Sequence, residues 1–343
     1  MPNPVITMAI DRLMSRQDLS VADTSAVLAE IMDGNASEVE TAGVLVALRT
    51  KGETAEEIEG LARTMRRFAK PVHAGRDDLV DTAGTGGGRP TFNVSTTAAL
   101  IAAGAGCAVA KHGNRSATGL SGSADLLEAL GVRIDLGPDA VAQCIREVGF
   151  GFMFAPAHHS ATRYVVPVRK ELAVRTIFNF LGPLTNPAGA TRQVIGVSDP
   201  AFLETLADAL ARLGAERALV VSSQDGLDEI STSAPTRVVE VAGGETRAYE
   251  IAPEDVGLAR SEPDAFGPGL PDVNAATTRR ILAGEPGPER DLALFNAGAA
   301  IYAGGRADTL REGVEAAAEA VDSGAAAASL DALTALTAKL SVA

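Results

Sequence analysis

The spacing of apolar residues changes after the first 72 positions of the chain. Within residues 1–72 apolar positions recur at helical intervals. Ser37 with Glu40, and Thr54 with Glu57, each form the Ser/Thr-x-x-Glu pattern that caps helix N-termini. This part of the chain is predicted to be a small helical domain.

Beyond it, short apolar runs alternate with segments of helical spacing. The predicted strands are "DLVDTAG", "CAVAKHG", "VRIDL" and "FGFMFA", and the predicted helices between them are "STTAALIAAGA", "GSADLLEALG" and "PDAVAQCIREVG". Alternation of this kind requires right-handed crossovers and gives a mainly parallel sheet. We therefore predict an α/β fold, with a small N-terminal helical domain and a large α/β domain whose mainly parallel central sheet is surrounded by helices.

The alternation is interrupted once. The segment "VRKELAVRTIFNFLGPLTNP" has the spacing of a helix that ends in Gly and Pro, and the α/β pattern resumes after it. The pair Gly243–Gly244, between "TRVVEVA" and "TRAYEI", predicts a β-hairpin. The last ~75 residues again have helical spacing.

Composition and charge exclude several classes of function. The 343 residues exceed the ~250–300 at which a single core stops growing, which fits two lobes. A formal net charge of -14 argues against a nucleic-acid binder. Cys107 and Cys144 form no CxxC pair, so neither a disulfide framework nor a thiolate metal site is expected. No signal-like block and no apolar run of ~20 residues is present, which predicts a cytoplasmic protein without a membrane partner.

Ligands of open parallel sheets bind beyond the carboxyl ends of the strands, and four loops there carry polar side chains. The first is "GTGGGRPTFNVST" (84–96), which is no dinucleotide fingerprint because Arg89 stands where a third glycine is needed. Successive glycines let backbone N–H groups approach an anion closely. Asn93, Ser95 and Thr96 follow at a predicted helix start, which favours phosphate. This stretch is predicted to be an anion-binding loop rather than a flexible turn.

Two further loops are rich in cations. The loop "KHGNRSATGLSGSAD" (111–125) lies beside the first and is predicted to be the second wall of a polyphosphate site, with a solvated turn as the alternative. The segment "AHHSATRYVVPVRKELAVR" (157–175) gathers Arg163, Arg169, Lys170 and Arg175 in an otherwise acidic chain. Arginine binds a carboxylate through two parallel hydrogen bonds, so an acidic organic substrate and an ordinary basic surface both fit. The adjacent histidines of this segment, His158 and His159, have a poor spacing for metal ligands.

The fourth loop, "SSQDGLDEIS" (222–231), places Asp228 and Glu229 side by side after a strand. Mg²⁺ usually binds one or two carboxylates and keeps water and substrate phosphates as its other ligands. The loop therefore fits a magnesium site, with a solvated acidic turn as the alternative.

In combination these motifs resemble the anthranilate phosphoribosyltransferase family. The matching segments are "LRTKGET" (48–54), "GTGG" (84–87), "NVST" (93–96), "KHGNRS" (111–116), "SGSAD" (121–125), "PVRKEL" (167–172), "RTIFNFLGPLTNP" (175–187) and "DGLDE" (225–229). Their common order is far more specific than any one of them. The resemblance implies transfer of the phosphoribosyl group from phosphoribosyl pyrophosphate to the amine of anthranilate, in tryptophan biosynthesis.

The resemblance also implies a set of site residues. Those for phosphoribosyl pyrophosphate are Gly84, Gly87, Gly88, Phe92, Asn93, Val94, Ser95, Thr96, Lys111, His112, Gly113, Asn114, Arg115, Ser116, Ala117, Thr118, Gly119 and Ser123. Those for anthranilate are Gly84, Asn114 and Arg169, and those for the Mg²⁺ cofactor are Ser95, Asp228 and Glu229. No general base is implied; Lys111, His112, Asn114 and Arg169 would position the reactants.

The implied fold is the nucleoside phosphorylase/phosphoribosyltransferase-like one. Its helical domain would be residues 1–72 joined by about 170–190, and its large α/β domain residues 73–169 and 191–343. Such proteins usually form homodimers through the helical domain.

The chain departs from the family pattern at two places within the loop motifs, and also at Ala173, where glycine is common. Gly88 stands where the family usually has Asp after "GTGG", and Ser222–Ser223 where a His-Gly pair usually precedes "DGLDE". The missing acid removes a possible metal contact, which leaves the magnesium dependence of the reaction open. Two alternatives are a pyrimidine nucleoside phosphorylase, which should lack the paired acids and the Pro-Val-Arg segment, and a non-catalytic nucleic-acid-binding relative.

Overall fold

The N-terminal helices form as their capping signals predict. The structure is a computed structural model that describes residues 1–116 and 119–341. Its first four helices are α1 (Pro4–Met14), α2 (Val21–Met32), α3 (Glu38–Lys51) and α4 (Ala55–Phe68). The capping boxes at Ser37 and Thr54 are both present, and a further one pairs Ser20 with Asp23. The predicted helical start of the chain is therefore confirmed.

The central sheet is mainly parallel, as predicted. Its strands are β1 (Leu79–Gly84), β2 (Ala108–Gly113), β3 (Phe150–Phe154), β4 (Arg192–Gly196), β5 (Arg217–Ser223), β6 (Thr236–Ala242) and β7 (Glu245–Ile251). In the described part of the chain they lie in the order β3-β2-β1-β4-β5-β6-β7, with β1 to β5 parallel and β6 and β7 antiparallel. The Gly243–Gly244 hairpin is confirmed between β6 and β7.

Eleven further α-helices follow the first four in the described part of the chain. They are α5 (Val94–Gly104), α6 (Ser123–Ala129), α7 (Pro138–Val148), α8 (Ala155–His158), α9 (Val166–Leu172), α10 (Phe178–Leu181), α11 (Leu203–Arg212), α12 (Pro271–Leu282), α13 (Pro288–Ala303), α14 (Leu310–Asp322) and α15 (Ala325–Leu340). One core packs α5 and α13 against the sheet. A second core joins the N-terminal helices, the region 165–184 and α11. No helix among the described residues is long and apolar enough to cross a bilayer.

Two local predictions were wrong. "VRIDL" (132–136) forms no strand, although Val132, Ile134 and Leu136 are buried and the residues between them are exposed. Burial alternates with a period of two because this segment lies along the core, but it has no neighbouring strand to pair with. "VRKELAVRTIFNFLGPLTNP" contains two short helices instead of one, and the first ends at Ala173, whose φ is 52°.

The second core contains residues from both sides of the expected domain boundary. Val168 and Phe180 are buried in the same cluster as Leu45 and Leu48 of α3. That cluster continues to Val220 of β5, so buried contacts cross the expected boundary. The assignment of about 170–190 to the helical domain stays a prediction.

Candidate active site

The carboxyl ends of β1, β2, β4 and β5 meet at one edge of the sheet, and β1, β2 and β4 each end in glycine. Residues 84–88, here called the glycine loop, leave β1 at this edge. The Thr85 N–H donates to the Gly196 carbonyl at 2.8 Å, and the Gly86 N–H donates to Asp228 Oδ2 at 2.9 Å. The N–H groups of Gly87 and Gly88 have no partner within the described residues. The loop therefore offers two free backbone donors to an anion.

Gly196 sets how closely the acidic loop approaches the sheet. A Cβ atom at this position would lie 1.6 Å from the Asp228 carbonyl oxygen. Only glycine leaves room for the backbone of Asp228 to cross the end of β4. This residue was not predicted from the sequence, because a single glycine at a strand end carries no distinctive local signal.

Lys111 lies under the site as a buried cation. Its Nζ donates to the Thr82 carbonyl at 2.6 Å and lies 3.5 Å from Ser95 Oγ. Burial lowers the pKa of Lys111, whereas the nearby acids Asp81 and Glu229 act to raise it. The geometry thus places the Lys111 amine beside Ser95, one of the predicted metal ligands.

Asp81 is buried next to Lys111 and ties three elements together. Its carboxylate accepts from the His112 backbone N–H at 3.1 Å and from Asn186 Nδ2 at 2.7 Å. Burial raises the pKa of Asp81, and the charge of Lys111 opposes that shift. The bond to Asn186 fixes the "LTNP" turn against β1 and β2.

The acid pair lies at the same edge. Burial raises the pKa of Asp228. Burial and the charge of Asp228 raise the pKa of Glu229 to about 8, while Lys111 and the backbone N–H of Ser95 act in the opposite direction. Two carboxyl groups held together with one lysine nearby form a donor set that a divalent cation would stabilise as anions. No group of three or more His, Cys, Asp or Glu side chains suited to a metal occurs in residues 1–116 and 119–341, so substrate or solvent oxygens would complete such a site.

The start of α5 faces this edge through its backbone. Asn93 is the N-cap residue, but its amide is occupied: Nδ2 donates to the Ser121 carbonyl at 3.0 Å, and Oδ1 accepts from Ser121 Oγ and from Asn274 Nδ2. Phe92 and Val94 are buried in the core, and Thr96 is fully buried. Of these residues, Ser95 has a hydroxyl near Lys111.

The loop after β2 is closed by its own ion pairs. Arg115 Nη1 donates to Asp125 at 2.7 Å and to Glu128 at 2.5 Å, so its guanidinium is already neutralised. The Ser116 hydroxyl accepts from the Gly119 N–H at 2.7 Å. The predicted site residues Ala117 and Thr118 lie outside the described residues. Gly113 and Ser123 are close neighbours, since a Cβ on Gly113 would lie 3.3 Å from Ser123 Oγ.

A cavity of about 690 Å³ opens beside the glycine loop. Its lining includes Gly84, His112, Asn114, His159, Arg163 and Arg169, and it contains no Asp or Glu side chain. Arg169 is half-buried, and burial lowers its pKa. Its guanidinium lies 5.7 Å from the centre of the Phe178 ring and has no carboxylate partner in the described residues. A cavity with an unpaired arginine and no acid favours a ligand that carries a carboxylate.

Two neutral histidines complete this cavity. The rings of His112 and His159 have centroids 5.0 Å apart, and both Nε2 atoms are buried without a hydrogen-bond partner. Burial lowers the pKa of His112 to about 3 and that of His159 to about 4. No role was predicted for His159 from the sequence, because its partner His112 is 47 positions away in the chain and only the fold brings the two rings together.

Gly88 and Ser223, two of the residues that depart from the family pattern, both lie beside the acidic loop 225–229. A Cβ on Gly88 would lie 2.8 Å from both Asp228 Oδ1 and the Gly226 carbonyl. Ser223 Oγ donates to Asp225 at 2.5 Å, and Arg89 lies 3.2 Å from the same carboxylate. Burial acts to raise the pKa of Asp225, whereas hydrogen bonds from the hydroxyls of three serines act to lower it. The pKa is lowered overall. Ser222 is buried, and its side chain forms no hydrogen bond within the described residues.

Comparisons with known proteins agree with this geometry. The family model described as "Glycosyl transferase family, a/b domain" matches residues 76–327, and "Glycosyl transferase family, helical bundle domain" matches residues 7–69. An anthranilate phosphoribosyltransferase of Symbiobacterium thermophilum is 54% identical over 311 residues, covering 90% of this chain and 91% of the relative.

Solved structures extend the likeness to the whole fold. The crystal structure of anthranilate phosphoribosyltransferase from Thermus thermophilus superposes with a TM-score of 0.91 at 48% identity, covering 96% of this chain and 99% of that one. The Saccharomyces cerevisiae enzyme in complex with PRPP and Mg superposes with a TM-score of 0.89 at 27% identity, covering 98% of each chain. The resemblance in the sequence motifs and the two-part fold are thus confirmed, and the chain belongs to the anthranilate phosphoribosyltransferase family.

Proposed function

We propose that this protein transfers the phosphoribosyl group of phosphoribosyl pyrophosphate to the amine of anthranilate, releasing pyrophosphate, as a step of tryptophan biosynthesis. The observation that carries the proposal is the placement of an acid-free cavity with the unpaired Arg169 directly beside a loop with free N–H donors. The relatives at about half identity support the same activity.

The phosphoribosyl pyrophosphate site is proposed along the edge of the sheet. The free N–H groups of Gly87 and Gly88 and the start of α5 would bind the pyrophosphate, as backbone donors do in other anion loops. Lys111 would act through its charge from below, since its ammonium is occupied by Thr82. The Arg115 side chain would contribute least, because two carboxylates already hold it.

Magnesium fits the residues at this edge. Asp228, Glu229 and Ser95 offer two carboxyl groups and a hydroxyl, which matches the preference of Mg²⁺ for a few oxygen ligands plus substrate phosphates. When bound, the ion would neutralise charge on the departing pyrophosphate. The yeast relative in complex with PRPP and Mg supports this cofactor.

Anthranilate would lie in the cavity, with its carboxylate on Arg169 and its amine toward Asn114 and Gly84. The amine of anthranilate is uncharged near neutral pH, so no residue needs to remove a proton before it attacks the ribose C1. His112 and His159, with their lowered pKa values, would stay neutral and form polar walls without competing for the carboxylate. Orientation of the two substrates and stabilisation of the leaving group would therefore supply most of the rate.

We also propose a cytoplasmic homodimer that joins through the helical domain. A groove of about 600 Å³ between α1 and α3 is lined mainly by apolar residues, among them the exposed Met14 and Val46. Exposed apolar surface of this kind commonly marks a protein interface. The net charge of -14 supports the absence of a nucleic-acid partner.

The activity is tested with purified protein, phosphoribosyl pyrophosphate, Mg²⁺ and anthranilate, following the loss of anthranilate fluorescence. We expect turnover that requires all three additions. Absence of turnover, together with phosphorolysis of uridine or retention on DNA, would replace the proposal by one of the two alternatives, which the comparisons do not favour.

A further inference from the structure

Arg175 holds the glycine loop by its carbonyl oxygens. Its Nη1 donates to the Gly86 carbonyl at 2.5 Å, and its Nη2 donates to the Thr85 carbonyl at 3.3 Å. Ser198 Oγ donates to the same Gly86 oxygen at 2.9 Å. Arg175 forms no ion pair with a carboxylate in the described residues, so its hydrogen bonds go to this backbone.

Because the peptide bond is planar, these contacts to the carbonyl oxygens also fix the direction in which the next N–H groups point. In a trans peptide the C=O and the next N–H point opposite ways. The Thr85–Gly86 unit accordingly has Arg175 on one side and Asp228 on the other. The Gly86–Gly87 unit has Arg175 and Ser198 on its carbonyl side, which directs the free Gly87 N–H away from both.

Position 87 accommodates only glycine. Its φ is +83°, and a Cβ there would lie 1.9 Å from Arg175 Nη1. The close approach of Arg175 thus requires glycine at this position as much as the turn does.

Arg175 is in turn positioned by aromatic packing that reaches the helical domain. Its guanidinium lies 5.6 Å from the centre of the Phe180 ring, and Phe180 stacks on Phe202 at 4.3 Å. Arg49 of α3 lies 4.7 Å from the centre of Phe202 and pairs with the buried Glu53 at 3.3 Å. This chain of contacts gives a role to the "LRTKGET" segment, which contains Arg49 and Glu53 and which the proposed function does not use.

We propose that Arg175 is a positioning residue that fixes the Thr85–Gly86 and Gly86–Gly87 peptide units, so that the glycine loop presents the free Gly87 N–H to pyrophosphate. The inference rests on the proposed phosphoribosyl transfer. It differs from a direct contact with substrate, because the action of Arg175 passes through the Gly86 carbonyl.

The test compares Arg175→Met and Arg175→Lys with a matched control, Arg66→Met. Arg66 is a half-buried arginine that also donates to a carbonyl of the same region, that of Leu184 at 2.8 Å, but it does not contact the glycine loop. Arg175→Met removes both hydrogen bonds to the loop. It should raise the KM for phosphoribosyl pyrophosphate roughly tenfold or more and leave the KM for anthranilate within about twofold. Arg175→Lys should give an intermediate value, and Arg66→Met should change only thermal stability.

A double-mutant cycle with Ser198→Ala separates positioning from direct contact. If both side chains act through the Gly86 carbonyl, Ser198→Ala should raise the same KM, and its effect should not add to that of Arg175→Lys. Additive effects, or no effect of Ser198→Ala, would assign Arg175 to the substrate itself and overturn the inference. A KM for phosphoribosyl pyrophosphate within about twofold of the parent value in Arg175→Met would also overturn it.

Two further readouts keep the test decisive. If Arg175→Met does not fold, Arg175→Lys decides: a KM raised for phosphoribosyl pyrophosphate alone supports positioning, and an unchanged KM contradicts it. Calorimetric titration with inorganic pyrophosphate and Mg²⁺ measures the affinity of the glycine loop for pyrophosphate without turnover. A parent protein that binds pyrophosphate more tightly than Arg175→Met does, but that does not consume anthranilate, would refute the proposed function and leave this inference standing.

Discussion

The two halves of the candidate site recognise charge in different ways. At the sheet edge, contacts to Gly196 and Arg175 hold the glycine loop and the acidic loop in place, and the free donors are backbone N–H groups. In the adjacent cavity, the main cation is the side chain of Arg169, with neutral histidines and no acid around it. A multiply charged phosphate is thus matched by fixed backbone dipoles, and a single carboxylate by one unpaired side chain.

The largest effect should come from Gly196→Ala, which disrupts the sheet edge alone. The new methyl group would overlap the Asp228 carbonyl and displace the acidic loop. A shift of about 1 Å in such a site costs roughly a hundredfold in rate, so kcat/KM should fall by at least that factor. Gly137→Ala is the control, since a Cβ there meets no atom within 4 Å. Parental activity in Gly196→Ala would mean that the position of Asp228 is unimportant.

Arg169→Ala should disrupt the cavity and spare the sheet edge. Loss of a charged hydrogen bond should raise the KM for anthranilate by roughly 10- to 100-fold, while the KM for phosphoribosyl pyrophosphate stays near the parental value. Arg163 lines the same cavity but is exposed and contacts Tyr164, so Arg163→Ala should have a smaller effect. Unchanged initial-rate kinetics for Arg169→Ala would remove its assigned role.

Gly88→Asp sharpens the comparison at the sheet edge. It restores the acid usual in the family, but its Cβ begins 2.8 Å from Asp228 Oδ1. We expect the Mg²⁺ concentration for half-maximal rate to change by a factor of several, and the KM for anthranilate to change less. Gly88→Ala introduces the same crowding without the carboxylate and is the control. Identical magnesium profiles for the two variants would show that position 88 is only a turn.

The smallest effect concerns the neutral histidines of the cavity. Their pKa values of about 3 and about 4 lie below the usual 6.5, so the unfolded chain takes up protons first as the pH falls. Stability supplied by each histidine is therefore complete above pH 6.5 and falls by about 1.4 kcal/mol per pH unit below it. Urea unfolding at pH 7 and pH 5 should show a shallower loss for His159→Asn than for the parent. An equal loss in both proteins would contradict the lowered pKa of His159.

Much of the sheet edge was predictable from the sequence. Strand-to-helix alternation locates the loops, and consecutive glycines before a helix start indicate a backbone anion site, as at Gly87 and Gly88. The alternation in "VRIDL" predicted a strand that does not form, because burial of every second residue does not require a partner strand. Periodicity reports which side chains are buried, but not what lies beside the backbone.

The supporting residues could not be predicted in this way. Gly196 matters because Asp228, 32 positions later, crosses it. Arg175 resembles any arginine after a short helix until the fold brings it to the Gly86 carbonyl. The pairing of His112 with His159 likewise depends on how β2 and the region after β3 meet. Each is a contact between distant segments, for which a single sequence has no local pattern.

One measurement tests most directly whether the sheet edge and the cavity recognise different charges. It compares two acceptors, anthranilate and aniline, of which aniline lacks the carboxylate. Both would use the same sheet edge, so only the cavity can distinguish them. The parent should prefer anthranilate by roughly a hundredfold or more in kcat/KM, and Arg169→Ala should lose most of that preference. A preference that persists unchanged in Arg169→Ala would show that the carboxylate is recognised elsewhere and would contradict the account.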